Sequence, residues 1–153
     1  MRSYILFSIL AIGIGTSGCR NQTNSQNADS IIAPGQMPNI AKDNSDKIHL
    51  VYGVGDSIMY SYSADHGKTF ANPALISILP ELAASHMRGP QVAAISGGLV
   101  VTACTNSGNI FTYIMDRSGK WTQTSRVNDV DTVAKENLMA LTADGENVFC
   151  CLA

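Results

Sequence analysis

The sequence has little charge, no excess of basic residues and no apolar run long enough to span a membrane well. Charged residues make up 14% of the chain, and 10 basic against 12 acidic side chains give a net charge of −2. Nucleic-acid binding normally needs a concentrated basic face, so this balance argues against a nucleic-acid partner. The most apolar stretch, residues 4–14, is too short to span a bilayer well.

Cysteine and histidine are too few and too irregularly spaced for a disulfide framework or a metal site. The chain has 4 cysteines: Cys19, Cys104 and the adjacent pair Cys150 and Cys151. Its 3 histidines fall in a predicted strand, a turn and a loop: His49, His66 and His86. We therefore expect no metal and no cofactor. Cys104 is predicted to be a small buried hydrophobe in an inner strand.

Residues 1–18 have the layout of a secretory signal peptide, with Arg2 before an apolar core and small residues at the end. Residues 13–18 also spell a dinucleotide-binding glycine fingerprint, but it follows no strand and opens no helix, so it is rejected. Cys19 directly after Thr16-Ser17-Gly18 resembles a bacterial lipobox, although leucine is commoner at the position of Thr16.

That resemblance implies secretion and a mature chain that begins at a lipidated Cys19, anchored to a bacterial membrane in the cell envelope. The alternative is an ordinary cleaved signal peptide that a cysteine happens to follow. Residues 20–37 are rich in Asn, Gln, Ser and Thr and predict a flexible tether, so that residues 19–37 form the anchor and its linker.

The chain repeats itself with a period of about 52 residues, a length typical of propeller blades. Pro38-Asn39-Ile40-Ala41 recurs as Pro90-Gln91-Val92-Ala93. Short apolar runs between glycine-bearing turns predict an all-β antiparallel meander, with the following strands: 38–42, 47–52, 57–63, 68–77, 90–95, 99–104, 109–115, 120–127, 138–143 and 147–152. An all-β sandwich with accidental self-similarity is the alternative.

One octapeptide, residues 63–70, fits a Ser-x-Asp-x-Gly-x-Thr-aromatic pattern at every specified position. The residues that fit are Ser63, Asp65, Gly67, Thr69 and Phe70. A short carboxylate that accepts backbone N–H bonds, followed by a glycine free to take φ > 0, is typical of a hairpin turn, after which Thr69 and Phe70 should start the returning strand. A degenerate copy keeps the aspartate, glycine and aromatic residue: Asp116, Gly119 and Trp121.

This pattern resembles the Asp-box, or BNR repeat, of the sialidase superfamily, where the box is a structural staple opposite the substrate. The resemblance implies a sialidase-like β-propeller over residues 38–153, with blades at 38–77 and 90–127 and a partial blade at 138–153. Propellers have about four to eight blades. We therefore expect the chain to be the N-terminal portion of a longer protein; a ring assembled from several copies and a defunct fragment are the alternatives.

In a four-stranded blade the box turn and the turn between the first two strands lie at one end. The resemblance places the sialidase pocket at the opposite end, which residues 78–89 and 128–137 should reach. The candidate ligand-binding residues there are Arg88, Glu136, Asp129 and Asp131, although paired acids in a loop are often turn formers.

A sialidase of the familiar kind clamps a carboxylate with three arginines and uses a tyrosine nucleophile. Arg88, Arg117 and Arg126 follow the tether, but Arg117 belongs to the second box turn at the wrong end. No catalytic residue is therefore identified, and Tyr52, Tyr60, Tyr62 and Tyr113 are interpreted as packing groups. We expect a parent that acts on or binds terminal sugars of glycans, with this chain alone inactive. The alternative is a non-catalytic surface propeller that binds glycan or protein.

Overall fold

A computed structural model describes residues 32–134 and 139–152, and these residues form an all-β fold. The first eight strands are β1 (Gln36–Lys42), β2 (Ile48–Val54), β3 (Ser57–Ser63), β4 (Ala74–Ile78), β5 (Gln91–Ile95), β6 (Gly98–Cys104), β7 (Ile110–Met115) and β8 (Trp121–Arg126). They are followed by β9 (Met139–Asp144) and β10 (Asn147–Leu152). The prediction of an all-β meander is confirmed.

The strands form two four-stranded antiparallel sheets and a hairpin. Their orders are β1-β2-β3-β4, β5-β6-β7-β8 and β10-β9, so every strand pairs only with its neighbours in the chain. The described residues include no helix of the length and apolar character that crossing a membrane would require.

The fourth strand starts later than the sequence predicts, at Ala74 rather than near residue 68. Thr69 and Phe70 therefore do not open the returning strand. The reason is local, because the Thr69 N–H donates to the Asp65 carboxylate and is not available to a sheet ladder. Pro73, directly before the strand, has no N–H to donate.

An apolar layer between the two four-stranded sheets forms the main core. Its most buried members are Val51 and Ile58 from the first sheet and Leu99, Val101 and Tyr113 from the second. The central strands β2 and β6 are almost wholly buried, whereas β1 alternates between exposed and half-buried residues along its length. A smaller cluster on the far side of the second sheet contains Cys104, buried as predicted, together with Ile110 and Met139.

The first strands of the successive units lie beside one another, β1 next to β5 and β5 next to β9. The Asn39 side chain joins the first two of them. Its Nδ2 donates to Gln91 Oε1 at 3.0 Å, and its Oδ1 accepts the Val92 N–H at 2.9 Å. Asn39 and Gln91 occupy equivalent positions of the sequence repeat.

The connections divide between two ends of the sheets. The box end carries the hairpin turns at residues 43–47, 63–69, 96–97, 116–120 and 145–146. The loop end carries the turns at residues 55–56 and 105–109 and the longer loops at 79–90 and 127–134.

Candidate functional site

Arg88 lies at the loop end, in the loop that leads into β5. Its Nε donates to the Ser85 carbonyl at 3.3 Å, and its backbone N–H donates to the same oxygen at 3.0 Å. Glu81, His86 and Met87 in this loop have φ between 51° and 70°, a region that non-glycine residues rarely adopt. The fixed loop holds Arg88 half-buried beside its own backbone.

Asp131 and Asp129 belong to a hydrogen-bonded network that closes the other long loop. Arg126 Nη1 donates to Asp131 Oδ1 at 2.6 Å, and Asp129 Oδ1 accepts the Val130 N–H at 2.8 Å. The buried Asn128 anchors the loop, because its Oδ1 accepts the Ile110 N–H at 2.8 Å. Asp131 is therefore paired with the last residue of β8, and Asp129 with the backbone of its own loop. Glu136, like Cys19, lies outside the described residues.

The first Asp-box forms a closed set of short hydrogen bonds at the box end. Asp65 Oδ2 accepts the Thr69 hydroxyl at 2.6 Å, Asp65 Oδ1 accepts the Thr69 N–H at 2.9 Å, and the Ser63 hydroxyl donates to the same carboxylate at 2.7 Å. Ser63 Oγ in turn accepts the Gly67 N–H at 2.8 Å, where glycine takes a φ of 84°. These bonds, with the Thr69 hydroxyl first, hold the pKa of Asp65 below its usual range. Phe70 follows, half-buried.

The second, degenerate box makes a different turn. Asp116 Oδ1 accepts the backbone N–H groups of Ser118 and Lys120 at 2.8 and 3.1 Å, and Gly119 donates to the Asp116 carbonyl at 3.0 Å. The turn between β1 and β2 is built the same way, with Asp43 Oδ1 accepting from the N–H groups at positions 45 and 47 at 2.8 and 3.0 Å. The Asp-x-Ser-x-Lys pattern of residues 43–47 and 116–120 is thus one recurring turn.

A cleft of about 760 Å³ opens between the two sheets at the box end. We call it the inter-sheet cleft. The residues that line it are Asp43, Lys47, His49, Tyr60, Tyr62, Ala74, Leu75, Ile95, Ser96, Gly97, Gly98, Leu99, Met115, Asp116, Arg117, Ser118, Gly119 and Trp121. It lies at the end opposite to the one where the sequence placed a pocket.

One wall of the inter-sheet cleft carries a hydrogen-bonded array of three side chains, in which His49 and Tyr60 are buried and Asp43 is half-buried. His49, only 3% exposed, has its Nδ1 2.9 Å from the Tyr60 hydroxyl and its Nε2 3.2 Å from Asp43 Oδ2. Tyr60 packs edge-on against Trp121 of the second sheet, with 5.4 Å between the ring centroids. The array therefore ties a turn, two strands and the opposite sheet together.

The electrostatics of this array fix its protonation. Partial burial would raise the pKa of Asp43, but hydrogen bonds from Ser45, His49 and the Lys47 N–H outweigh it and lower the pKa to about 2. Burial lowers the pKa of His49, against the opposing effect of Asp43. A neutral imidazole beside an ionised carboxylate must carry its proton on Nε2, so its Nδ1 accepts the Tyr60 hydroxyl proton.

The same array argues for binding rather than nucleophilic chemistry. Burial raises the pKa of Tyr60 to about 12, and the nearby Tyr62 and Asp43 add to the shift. At neutral pH the Tyr60 hydroxyl is protonated and already donates to His49, which makes it a poor nucleophile. Among residues 32–134 and 139–152, no three His, Cys, Asp or Glu side chains are grouped so that they could hold a metal ion.

Sequence reasoning missed both the inter-sheet cleft and the array. The sequence predicts Tyr60 as a packing group and places His49 in a strand, with no histidine spacing that suggests a metal site. The one usable signal was alternation, since His49 and Val51 must share a face of β2, and Val51 pairs with Tyr60 on β3. The opposite wall, which includes Trp121, belongs to the other sheet. No pattern of neighbouring residues in the sequence indicates that the two walls meet.

No protein-family model matches the chain, and a search of curated proteins finds no significant match to it.

Proposed function

We propose that this chain supplies blades to a sialidase-like β-propeller that is held at the bacterial cell envelope by a lipid on Cys19 and binds the terminal sugars of glycans. The observation that carries the proposal is the placement of β1, β5 and β9 side by side as first strands of successive units. The Asn39 to Gln91 hydrogen bond links equivalent positions of consecutive repeats. A step that relates each unit to the next in this way, when it is continued, generates a ring or a superhelix.

Two further features support a sialidase-like propeller over a sandwich with accidental self-similarity. The intact box from Ser63 to Thr69 satisfies each specified polar position with a hydrogen bond. The two long loops share the loop end, which is where the resemblance puts the ligand. The strained backbone around Arg88 is a feature that often accompanies binding sites.

Recognition of sugars is the function that the described residues support best. Hydrolysis of the sialidase kind would need several guanidinium groups at one place, but Arg126 is paired with Asp131 and Arg117 lies at the box end. Arg88 is the residue of the loop end that we assign to ligand contact. We expect no sialidase turnover from this chain alone.

The test uses the full chain, isolated from membranes, on arrays of sialylated and desialylated glycans. We expect binding that the Arg88→Ala variant weakens and that Lys68→Ala, which removes one positive charge from the box turn, leaves unchanged. Equal binding by the wild type and Arg88→Ala, or no preference among glycans, would contradict the assigned site. A fluorogenic sialoside assayed in parallel should show no turnover.

The membrane anchor has its own test. The mass of the membrane-extracted protein should correspond to cleavage before Cys19 with a diacyl or triacyl addition. A Cys19→Ser variant should lack the acyl mass, and lipid-free wild-type protein would end the lipoprotein proposal without touching the glycan-binding one.

A further inference from the structure

We propose that the inter-sheet cleft is a second binding site, which takes a small carboxylate-bearing sugar against Tyr62 and Trp121 with Arg117 on its carboxylate. The choice of a sugar rests on the proposed glycan-binding function; the site itself rests on the geometry of the cleft. Nothing in the sequence resemblance points to this end of the sheets.

The size and lining of the cleft suit a small ligand. Its volume of about 760 Å³ is in the range of ligand pockets. The aromatic rings of Tyr60, Tyr62 and Trp121 line it, and Tyr62 is 38% exposed. Aromatic walls with a few convergent polar groups are the usual composition of a small-molecule site, because the rings bind an apolar face while the polar groups orient the ligand.

The charged side chains that line the cleft differ in how many hydrogen bonds they already make within the protein. Its two carboxylates, Asp43 and Asp116, each accept two backbone N–H groups of their own turns. Hydrogen bonds lower the pKa of both. Asp43 also faces His49 through its Oδ2, whereas the bonds to Asp116 all end on its Oδ1, so Asp116 Oδ2 is open to the cleft. The cations have looser surroundings: Lys47 Nζ lies 5.0 Å from the centroid of the Tyr62 ring, and Arg117 is exposed on the tip of its turn.

The cleft therefore offers a ligand aromatic surface, Asp116 Oδ2 and two cations, of which Arg117 is the exposed one that can pair with an acid. A guanidinium binds a planar carboxylate through two parallel hydrogen bonds, so Arg117 is the group that should select an acid over a neutral sugar. Lys47 above Tyr62 adds a second positive charge, and Tyr60 stacks on Tyr62 with 6.2 Å between the ring centroids. A ligand therefore meets Tyr62 at its exposed edge. The hydrogen-bonded array behind Tyr60 makes that part of the wall rigid, which lowers the entropic cost of binding.

Trp121 makes this site directly observable, because it is the chain's 1 tryptophan and it lines the cleft. Glucuronate and N-acetylneuraminate are titrated into the full chain at low salt while Trp121 fluorescence is recorded, with methyl glucoside as the neutral control. We expect a saturable change with the acids and none with methyl glucoside up to about 10 mM. The Arg117→Gln variant should bind more weakly, with a dissociation constant about 10-fold to 100-fold higher.

Two control variants make the result decisive. Lys68→Gln removes a charge from the box end outside the cleft and should leave the dissociation constant unchanged. Lys47→Gln should raise the dissociation constant, but by less than Arg117→Gln does. Far-UV circular dichroism confirms that each variant is folded. Equal responses to the acids and to methyl glucoside, no response at all, or full affinity in Arg117→Gln would each overturn the site.

The two proposals fail separately. Because sialylated glycans also carry an acid that the cleft would take, the arrays are repeated with Arg117→Gln as the background. Loss of array binding when Arg88→Ala is added to that background, with an unchanged Trp121 response in Arg88→Ala alone, would leave both standing. A Trp121 response that depends on Arg117, without any array binding, would reject glycan recognition at the loop end and keep the cleft site. Array binding without a Trp121 response would do the reverse.

Discussion

Removal of one oxygen atom, in the Tyr60→Phe variant, tests whether the hydrogen-bonded array on the wall of the inter-sheet cleft stabilises the fold. The substitution keeps the ring and its edge-on contact with Trp121 at 5.4 Å. It removes the hydroxyl that donates to His49 Nδ1 at 2.9 Å. Because His49 is only 3% exposed, water cannot easily replace the lost donor. A buried acceptor left unsatisfied costs about 1–3 kcal/mol, and we expect a loss of that size in the free energy of unfolding.

The assay is urea unfolding at pH 7, followed by far-UV circular dichroism and by Trp121 fluorescence. The matched control is Tyr62→Phe. Tyr62 lies two residues further along β3, on the same face of the strand, and is 38% exposed, so its hydroxyl can reach water. We expect that control to change the unfolding free energy by less than about 0.5 kcal/mol. The urea dependence of the free energy should be the same in both variants, because neither alters the surface exposed on unfolding.

A second substitution separates the hydrogen bond from general damage. Replacing both partners, as in His49→Leu with Tyr60→Phe, removes the unsatisfied imidazole nitrogen and should be less destabilising than the two single losses added together. If Tyr60→Phe is as stable as Tyr62→Phe, or if the double variant loses the sum of the single losses, the array does not hold the sheets as argued.

Four other predictions concern stability at the box end. Stability should fall as the pH drops below 6.5, because the folded-state pKa of His49 is lowered and its neutral form is fully favoured only above the unfolded value; urea midpoints at successive pH values measure this, and His49→Gln should flatten the curve there. A further loss should follow from pH 3.8 towards pH 2, where the depressed pKa of Asp43 is crossed. Asp65→Ala should lower the melting temperature and leave array binding unchanged, because its carboxylate bonds only to its own turn; unchanged melting with lost binding would assign the box to the ligand instead. Gly98→Ala should cost about 1–3 kcal/mol, since a methyl group there would overlap the Met115 carbonyl oxygen, whereas Gly97→Ala meets nothing nearer than Glu146 Oε2 at 3.7 Å and should melt as the wild type does.

The strands were predictable because they are encoded locally. Apolar runs bounded by glycine turns located all ten of them, and Gly67 and Asp65 fixed the box turn. The one large error in the strands was the predicted start of β4 near residue 68, since the strand begins at Ala74. Thr69 has the propensity of a strand residue, but its N–H group donates to Asp65 and cannot join the sheet.

The inter-sheet cleft was not predictable because its walls are far apart in the sequence. Tyr60 and Trp121 meet only after two sheets have stacked, and a repeat period gives no stacking geometry. The pairing of Arg126 with Asp131 was hidden for another reason. Both residues looked available for a ligand, and only the folded loop shows that they neutralise each other.

The purely sequential strand order has a consequence for how the chain folds. Within each sheet every strand pairs with the next strand in the chain, across a short connection. The contact order within a sheet is therefore low, and closing each loop costs little entropy. Such a chain is suited to vectorial folding, in which one meander closes before the next is available and then serves as its template. The hydrogen bond from the Val92 N–H to Asn39 would then form after both meanders have folded, and it would fix the second meander against the first.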